Sequence, residues 1–335
     1  MKILESPAAQ FALEATRSAA VLVRGVQQQM VSPALTKGDR SPVTVADFAA
    51  QAVVARMLQE KFPQDVLVGE EDAAALRAPD GAETLAQVTQ FVGRVYSGAS
   101  ESDVCDWIDH GAADPAEAFW TLDPIDGTKG FLRGGQYAVA LAYVRSGEVQ
   151  LAVLGCPQLD PGCCDPEGKQ TADGERGVLV LAARGSGTWS RALSSGEWTR
   201  LHVSDRADAA TARMLRSFES GHTNVDQIGQ LGEQLGTTAE PVRMDSQAKY
   251  AVLAAGAGEV LVRLLSPKQP DYRERIWDQA AGSLIVEEAG GRITDLVGKA
   301  LDFTQGRTLA ANRGILATNG HLHEATLAAL RAVNA

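Results

Sequence analysis

The hexapeptide Asp123-Pro-Ile-Asp-Gly-Thr128 is the part of this 335-residue chain that most constrains its fold. The apolar run before it, Phe119 to Leu122, predicts a strand, so both carboxylates stand at a strand end. The proline restricts the backbone between them, and the two carboxylates and the Ile125 carbonyl can face one point, as ligands of a hard cation do. The following Gly-Thr offers N–H groups where a helix can begin, which favours phosphate binding. Two common surface turns, Asp-Pro and Asp-Gly, explain the same six residues equally well.

Downstream of the hexapeptide, the pattern is typical of antiparallel strands. Residues 137–144 and 149–154 predict a hairpin around Ser146-Gly147, and residues 177–183 and 188–190 continue the β-rich character. This half of the chain is therefore predicted to contain a mainly antiparallel sheet.

Upstream of the hexapeptide, two helices and one strand are predicted. Apolar residues three and four apart predict a helix from Phe11 to Val26, and a second helix is expected to begin near Asp47. The short apolar run Val66 to Val68 brings Glu70-Glu71 to a strand end. Residues 73–118 mix small and polar side chains and are expected to form an insertion packed over the core.

After about Ser204, strands alternate with helices. A strand is predicted at Met214 to Phe218, and a helix at Asp278 to Ala289 ends at Gly290-Gly291, as a left-handed C-cap requires. We therefore predict an antiparallel-rich α+β domain over residues 1–203, followed by an α/β domain over residues 204–335.

The composition excludes several classes of protein. With 31 basic and 42 acidic residues, the net charge of −11 argues against a general nucleic-acid binder. No apolar run approaches the roughly 18 residues that cross a bilayer, and no signal segment is expected at the N-terminus. Four cysteines without a C-x-x-C pair favour neither a disulfide framework nor a thiolate zinc site, which predicts a reducing, cytoplasmic location. The P-loop, dinucleotide and nucleophile-elbow motifs are absent.

Further acidic residues stand at the predicted ends of helices and strands in both halves. Glu70 and Glu71 are adjacent and repel one another unless a cation lies between them. Asp47 and Asp278 each stand at a predicted helix start, where capping of the helix is a simple alternative explanation. If these carboxylates converge with the hexapeptide, the site lies between the two halves, where ligand sites often occur.

Three motifs together resemble the signatures of the lithium-sensitive, magnesium-dependent phosphomonoesterase superfamily that includes inositol monophosphatases. They are Gly69-Glu-Glu71, Asp123-Pro-Ile-Asp-Gly-Thr128 and Trp277-Asp-Gln-Ala-Ala-Gly282. The segments that resemble the bisphosphate nucleotidases of this superfamily more than its inositol enzymes are 41–51, 120–142, 245–250, 301–303 and 306–309. The resemblance runs from about residue 38 to 320, except over 73–118 and 157–175. It implies a layered α-β-α-β-α sandwich of the inositol monophosphatase and fructose-1,6-bisphosphatase type.

The resemblance also implies a site for two or three Mg²⁺ ions, for which Mn²⁺ is a possible substitute. Glu70, Asp123 and the carbonyl of Ile125 would hold one ion. Asp123, Asp126 and Asp278 would hold a second. In such two-metal sites one ion activates the attacking water and the other stabilises the leaving oxygen.

The residues implied to orient and deprotonate that water are Asp47 and Thr128. An aspartate beside cations has a depressed pKa, so Asp47 is expected to be ionised at neutral pH. The residues implied to contact substrate are Gly127, Thr128, Lys129, His222, Ser246, Lys249 and Arg263. A loop position for His222, and solvated surface positions for Lys249 and Arg263, are the alternatives. His321 and His323 are expected at the surface near a helix start.

The implied activity is hydrolysis of the 3′-phosphate of adenosine 3′,5′-bisphosphate to AMP and phosphate, with 3′-phosphoadenosine 5′-phosphosulfate as a further substrate. The alternatives are a phosphatase acting on inositol phosphates and a non-catalytic sensor of bisphosphate nucleotides. The expected partner is a small phosphorylated nucleotide, neither a nucleic acid polymer nor a membrane. Monomer and homodimer are both left open.

Overall fold

The computed structural model describes residues 2–31, 42–164, 176–218 and 225–334. Its helices are α1 (Pro7–Met30), α2 (Pro42–Lys61), α3 (Ala74–Arg77), α4 (Ala82–Val92), α5 (Glu101–Asp109), α6 (Thr128–Leu132), α7 (Val225–Leu235), α8 (Ala248–Ala254), α9 (Ala280–Glu288) and α10 (His323–Ala332). Its strands are β1 (Val66–Gly69), β2 (Ala118–Asp126), β3 (Ala138–Arg145), β4 (Glu148–Cys156), β5 (Val178–Ala183), β6 (Gly187–Ala192), β7 (Thr199–Leu201), β8 (Met214–Arg216), β9 (Val242–Arg243), β10 (Val260–Arg263), β11 (Arg292–Thr294) and β12 (Ile315–Thr318). No helix among these described residues has the length and apolar character needed to span a membrane.

The described strands form two sheets. The first has the chain order β1 to β7, with β1 parallel to β2 and antiparallel pairing from β2 onward. The second has the order β11-β12-β10-β8-β9, in which β8 runs parallel to both its neighbours. The predicted β3–β4 hairpin is confirmed, and Ser146 and Gly147 in its turn have φ of 50° and 77°. Two consecutive positive φ angles match the twist of the flanking strands.

The helices and sheets stack in five layers. Helices α1 and α2 cover one face of the first sheet, and α8 and α9 lie between the two sheets. Helices α7 and α10 cover the outer face of the second sheet. Successive side chains of β2 alternate accordingly, since Trp120 packs in the α1–α2 layer and Phe119 in the α8–α9 layer. This stack confirms the expected α-β-α-β-α sandwich.

The N-terminal helices differ from the prediction in two respects. Helix α2 begins at Pro42 rather than near Asp47, so Asp47 lies within the helix and cannot cap it. Proline is favoured in the first turn of a helix, so Pro42 could have indicated that the helix begins there. Residues 73–118 are also more than an insertion over the core, because Val88 of α4 and Ile108 of α5 are fully buried in the same cluster as α1 and α2.

His323 is buried, so the predicted surface position is wrong for this residue, whereas His321 is exposed. The His323 ring lies between two hydroxyl groups, with Nε2 2.9 Å from Thr294 Oγ1 and Nδ1 3.0 Å from Thr318 Oγ1. These hydroxyls satisfy both ring nitrogens, which is what burial of an imidazole requires.

The division into domains of residues 1–203 and 204–335 remains a prediction. The first sheet ends at β7 and the second begins at β8. Helix α9 nevertheless packs against β3, β4 and β5 of the first sheet. The buried layer that contains α9 therefore contacts the sheets of both halves.

Candidate active site

A cleft of about 300 Å³ lies where the ends of β1 and β2 meet the C-terminal half of the chain. The predicted site residues that line it are Glu70, Asp123, Ile125, Asp126, Gly127, Thr128, Lys129, Ser246, Lys249, Arg263 and Asp278. Asp47 is buried outside this lining. His222 lies outside the described residues. The fold therefore brings predicted residues from both halves of the chain to one place.

Glu70 follows β1, and a buried glutamine of α2 holds the turn at that point. Gln51 Nε2 donates to the carbonyls of Glu71 (2.6 Å) and Ile108 (2.9 Å), and Gln51 Oε1 accepts the N–H of Glu71 (3.0 Å). A Cβ on residue 69 would lie 2.4 Å from Gln51 Oε1, so the glycine leaves the space that this side chain fills. Gly69 is thus required for the packing that orients the two glutamates.

Asp123 and Asp126 lie at the end of β2, where the register with β3 shifts between them. The chain then turns into α6 through Gly127, whose φ is +92°. A Cβ at residue 127 would lie 2.7 Å from the Cβ of Ser246, which itself has a φ of +69°. The backbone N–H of Gln247 donates to Oδ2 of Asp126. The hexapeptide is therefore packed directly against residues 245–247 of the second half.

Asp278 precedes α9 by two positions, so capping of this helix by Asp278 is excluded. The buried amide of Gln247 fixes the surrounding backbone, donating to the carbonyl of Trp277 (3.0 Å) and accepting the N–H of Gly282 (3.2 Å). A Cβ on Gly282 would lie 2.0 Å from the Tyr250 ring, so only glycine allows this approach. The glycine that ends the Trp-Asp-Gln-Ala-Ala-Gly motif is therefore explained by the close packing of α9 against α8.

Lys249 and Arg263 are the two basic residues of the second half that were predicted to contact substrate. One is buried and the other is paired, so the alternative of a solvated surface position is wrong for both. Lys249 is 9% exposed, and its Nζ lies 3.2 Å from Ser217 Oγ. Arg263 Nη2 lies 3.0 Å from Glu274 Oε2 and 3.9 Å from Asp278 Oδ2. Burial lowers the pKa of Lys249 to about 8, although the charge of Asp126 acts to raise it. Thr128 and Lys129 are exposed in the first turn of α6.

The carboxylates of the cleft raise one another's pKa values. Burial raises the pKa of Asp123 well above its usual range, and the charges of Glu70 and Asp126 raise it further. Burial likewise raises the pKa of Glu70, of Asp126 and of Asp278. Asp123 Oδ1 is a buried oxygen with no hydrogen-bond partner among the residues that the structure describes. A buried and unpaired carboxylate oxygen is costly unless a cation neutralises it.

This donor set fits a hard divalent cation. It consists of four carboxylates and the Ile125 carbonyl, which are the oxygen ligands that Mg²⁺ and Mn²⁺ accept. Within the described ranges, no three His, Cys, Asp or Glu side chains are already gathered in the arrangement of a metal site. Because like charges repel, a bound cation is what would draw these carboxylates together.

Asp47 lies on a buried face of α2 and is 8% exposed. Burial raises the pKa of Asp47 well above its usual range, and the charges of Glu71 and Glu70 raise it further. The protein's own groups therefore act against the ionised Asp47 that the resemblance implies. A cation in the cleft would have to offset them.

For several residues around the cleft, no role was predicted from the sequence. They are Gln51, Asp245, Gln247 and Arg307. Asp245 accepts the N–H of Phe218 (3.2 Å) and forms an ion pair with Arg133, directly after α6. Each of the four lies inside a segment that carried the resemblance. Their position within such a segment could have marked these polar residues as candidates. The sequence does not show, however, which groups they form hydrogen bonds with.

Comparison with known proteins identifies the family of this chain. The model of the inositol monophosphatase family matches residues 5–335, and the chain belongs to this family. A 3′(2′),5′-bisphosphate nucleotidase of Emericella nidulans is 39% identical over 341 residues, covering 95% of this chain and 96% of that protein. A protein of the same name from Schizosaccharomyces pombe is 38% identical over 343 residues, covering 97% and 95%.

Solved structures share the fold. The IMPase of Thermotoga maritima superposes with a TM-score of 0.63 at 22% identity, over 98% of both chains. CysQ from Bacteroides thetaiotaomicron, a bacterial member of the inositol monophosphatase family, gives a TM-score of 0.59 at 18% identity over 93% of this chain and 96% of that chain. The resemblance stated from the sequence motifs is confirmed.

Proposed function

We propose that this protein is a magnesium-dependent phosphomonoesterase that hydrolyses the 3′-phosphate of adenosine 3′,5′-bisphosphate, giving AMP and phosphate. The observation that carries the proposal is the cleft in which Glu70, Asp123, Asp126 and Asp278 lie together with Lys249. The nucleotide substrate is supported by the relatives at 38–39% identity that bear the name 3′(2′),5′-bisphosphate nucleotidase.

The four carboxylates and the Ile125 carbonyl are the groups that would hold two or three Mg²⁺ ions. Bound Mg²⁺ would supply Lewis acidity at the phosphoryl oxygens and lower the pKa of a water molecule. The Oδ1 atom of Asp123 supports its assignment as a ligand, since no hydrogen bond within the described part of the chain compensates this buried oxygen.

Asp47 and Thr128 are the residues that we assign to the attacking water. The burial that raises the pKa of Asp47 also makes this carboxylate, once ionised, a stronger acceptor for the proton of that water. Thr128 lines the cleft as the first residue of α6. The water oxygen bonds to phosphorus as the bond between phosphorus and the ribose 3′-oxygen breaks, and Asp47 takes up the proton that the water loses. The departing 3′-oxygen takes a proton from solvent water, so AMP leaves with a free 3′-hydroxyl.

The positive groups of the cleft are assigned to the phosphates of the substrate. Lys129 and Lys249 line the cleft from opposite halves of the chain, and Ser246 lies beside Gly127 in the same lining. Arg263 would contact a second phosphate only by sharing its guanidinium with Glu274. Two phosphates carry more negative charge than one, which favours a bisphosphate in a cleft with several cationic side chains. A contact of His222 with the nucleotide stays a prediction.

The test is phosphate release from adenosine 3′,5′-bisphosphate, inositol 1-phosphate and fructose 1,6-bisphosphate, each with and without Mg²⁺. Fast, magnesium-dependent release from the nucleotide alone is the expected result. A preference for inositol 1-phosphate would keep the metal chemistry and discard the nucleotide assignment. Binding of the nucleotide without any release would instead support the non-catalytic sensor.

A single substitution tests the metal ligands. Asp126→Asn keeps the shape of the side chain and removes its charge, so turnover is expected to fall by about 100-fold or more, the scale of one lost electrostatic contact to a transition state. Full turnover with an unchanged Mg²⁺ dependence would show that the ligand set is wrong.

We place this reaction in the cytoplasm, a reducing compartment. The support is that Cys105 and Cys156 are both free thiols and both buried. Free cysteines are typical of proteins kept reduced.

A further inference from the structure

We propose that Arg307 is a positioning residue that sets the separation between Glu70 and Asp278, the carboxylates that the two halves of the chain bring to the cleft. The inference rests on the proposed function, because this separation matters only if the two carboxylates bind metal together. Arg307 lies outside the cleft lining and acts through the backbone on either side of it.

On the side of the first sheet, the guanidinium of Arg307 holds the end of β1. Nη2 donates to the carbonyl of Gly69 (2.5 Å), and Nη1 donates to the carbonyl of Ala113 (2.7 Å). Gly69 directly precedes Glu70, so the hydrogen bond fixes the residue from which that carboxylate departs. The planar guanidinium donates to the two carbonyls from two separate nitrogens, a geometry that the single ammonium nitrogen of lysine does not reproduce.

On the other side, Arg307 is joined to the segment that carries Asp278. Its guanidinium lies 4.9 Å from the centre of the Trp277 indole, in the geometry of a cation–π contact. Its own carbonyl accepts the N–H of Ile276 (3.2 Å), and an antiparallel bridge pairs Arg275 with Thr308. Arg307 is therefore held to the residues just before Asp278 by its backbone and its side chain together.

These contacts fix the positions of the two backbone segments, and none of them neutralises the charge of a metal-binding carboxylate. Both side-chain hydrogen bonds go to backbone carbonyls, and the aromatic contact goes to Trp277, whose backbone carbonyl is itself held by Gln247. A bound cation needs its oxygen ligands at a narrow range of distances, so a small shift of either segment weakens binding. Residues that orient metal ligands typically contribute about 10- to 100-fold to metal affinity.

The experiment compares Arg307→Met and Arg307→Lys with Arg184→Met. Arg184 is a matched control because it also joins the halves away from the cleft, with Nη1 2.7 Å from Glu287 Oε2 and Nη2 donating to the carbonyl of Val149 (3.1 Å). Mn²⁺ binding to the full-length chain is measured by calorimetry without substrate. The thermal unfolding midpoint is measured without metal, so that lost stability and lost metal affinity are separated.

We expect Arg307→Met to weaken Mn²⁺ binding by about 10- to 100-fold, and Arg307→Lys to restore little of this loss. Arg184→Met is expected to lower the unfolding midpoint while leaving Mn²⁺ affinity unchanged. Wild-type affinity in both Arg307 variants would overturn the inference, as would an equal loss of affinity in Arg184→Met. If Arg307→Met does not fold, Arg307→Lys decides by the same criterion. Absence of Mn²⁺ binding by the wild type would overturn the proposed function itself.

Discussion

The backbone N–H of Gln247 donates a hydrogen bond to Oδ2 of Asp126, joining the segment before α8 to the last residue of β2. The side chain of the same glutamine bonds the carbonyl of Trp277 and the N–H of Gly282. One residue of the second half is thus attached to both acidic segments of the cleft.

Replacing Gln247 by alanine leaves its backbone bond to Asp126 and removes the two side-chain bonds. Two buried backbone groups lose their partners, so the free energy of unfolding is expected to fall by about 1–3 kcal/mol, and kcat to fall with it. Urea unfolding and steady-state kinetics measure the two effects. Gln150→Ala is the control, because the side-chain amide of Gln150 contacts Glu148, an exposed residue two positions earlier in β4. Unchanged stability and kcat in Gln247→Ala would contradict the linking role.

Gly127→Ala is expected to damage the cleft more than backbone strain alone explains. Both Gly127 and Gly134 have positive φ, at +92° and +69°, but a Cβ at residue 134 meets open space whereas one at residue 127 meets Ser246 at 2.7 Å. Gly134→Ala should therefore cost about 1–2 kcal/mol of stability with normal kcat/KM. Gly127→Ala should cost more and reduce kcat/KM, since Ser246 must move. Equal effects of the two substitutions on both measurements would show that contact with Ser246 is unimportant.

Asp123→Asn is expected to stabilise the protein in the absence of Mg²⁺ and to abolish stabilisation by Mg²⁺. The substitution removes a buried charge that lies near Glu70, Asp126 and Asp278, and functional residues of this kind are commonly retained at a cost in stability. The thermal midpoint is measured at neutral pH with and without MgCl₂. Asp205→Asn, on an exposed residue, is the control. A rise of the midpoint with Mg²⁺ that is equal in Asp123→Asn and in the wild type would exclude Asp123 as a ligand.

How far the sequence predicted this site depends on whether the bonding partners are local. The hexapeptide at the end of β2 was recognised because its strand, proline and glycine are contiguous and each has a local conformational preference. Gln51 and Arg307 were missed because their hydrogen bonds go to backbone carbonyls far along the chain. Backbone atoms are identical at every residue, so no side-chain pattern identifies such a partner.

Burial also separated correct from incorrect predictions. Asp47 was predicted at a helix start but lies buried within α2. His323 does begin α10, as predicted, but its side chain is buried rather than at the surface. Lys249 and Arg263 had surface positions as their alternatives, yet the structure surrounds them with polar partners. A polar side chain in a sequence favours the surface on average, and only its tertiary partners reverse that preference.

The stability of the protein is expected to depend on pH through His323. Burial lowers the pKa of His323 to about 4, whereas in the unfolded chain it is about 6.5. Between these values the unfolded chain binds a proton that the folded protein does not, so stability falls as the pH drops from about 7 towards 4, by about 1–3 kcal/mol. Urea unfolding of the wild type and His323→Gln at several pH values measures this slope.

The slope, rather than the absolute stability, is the quantity to compare, because His323→Gln also loses bonds to Thr294 and Thr318. His321→Gln is the matched control on an exposed histidine two positions away. His323→Gln should flatten the dependence of stability on pH, and His321→Gln should not. The same slope in all three proteins would exclude His323 as its source.

The hydrogen bond from Arg307 to Gly69 joins residues 238 positions apart in the chain. Contacts of such high sequence separation close only after the loops between them have lost their entropy, so they form late in folding. All seven strands of the first sheet precede residue 307 in the chain, so they are synthesised before this bond can form. Interactions absent from the folding transition state act on the unfolding rate. A ligand that binds this cleft should accordingly prolong the lifetime of the folded enzyme without making it fold faster.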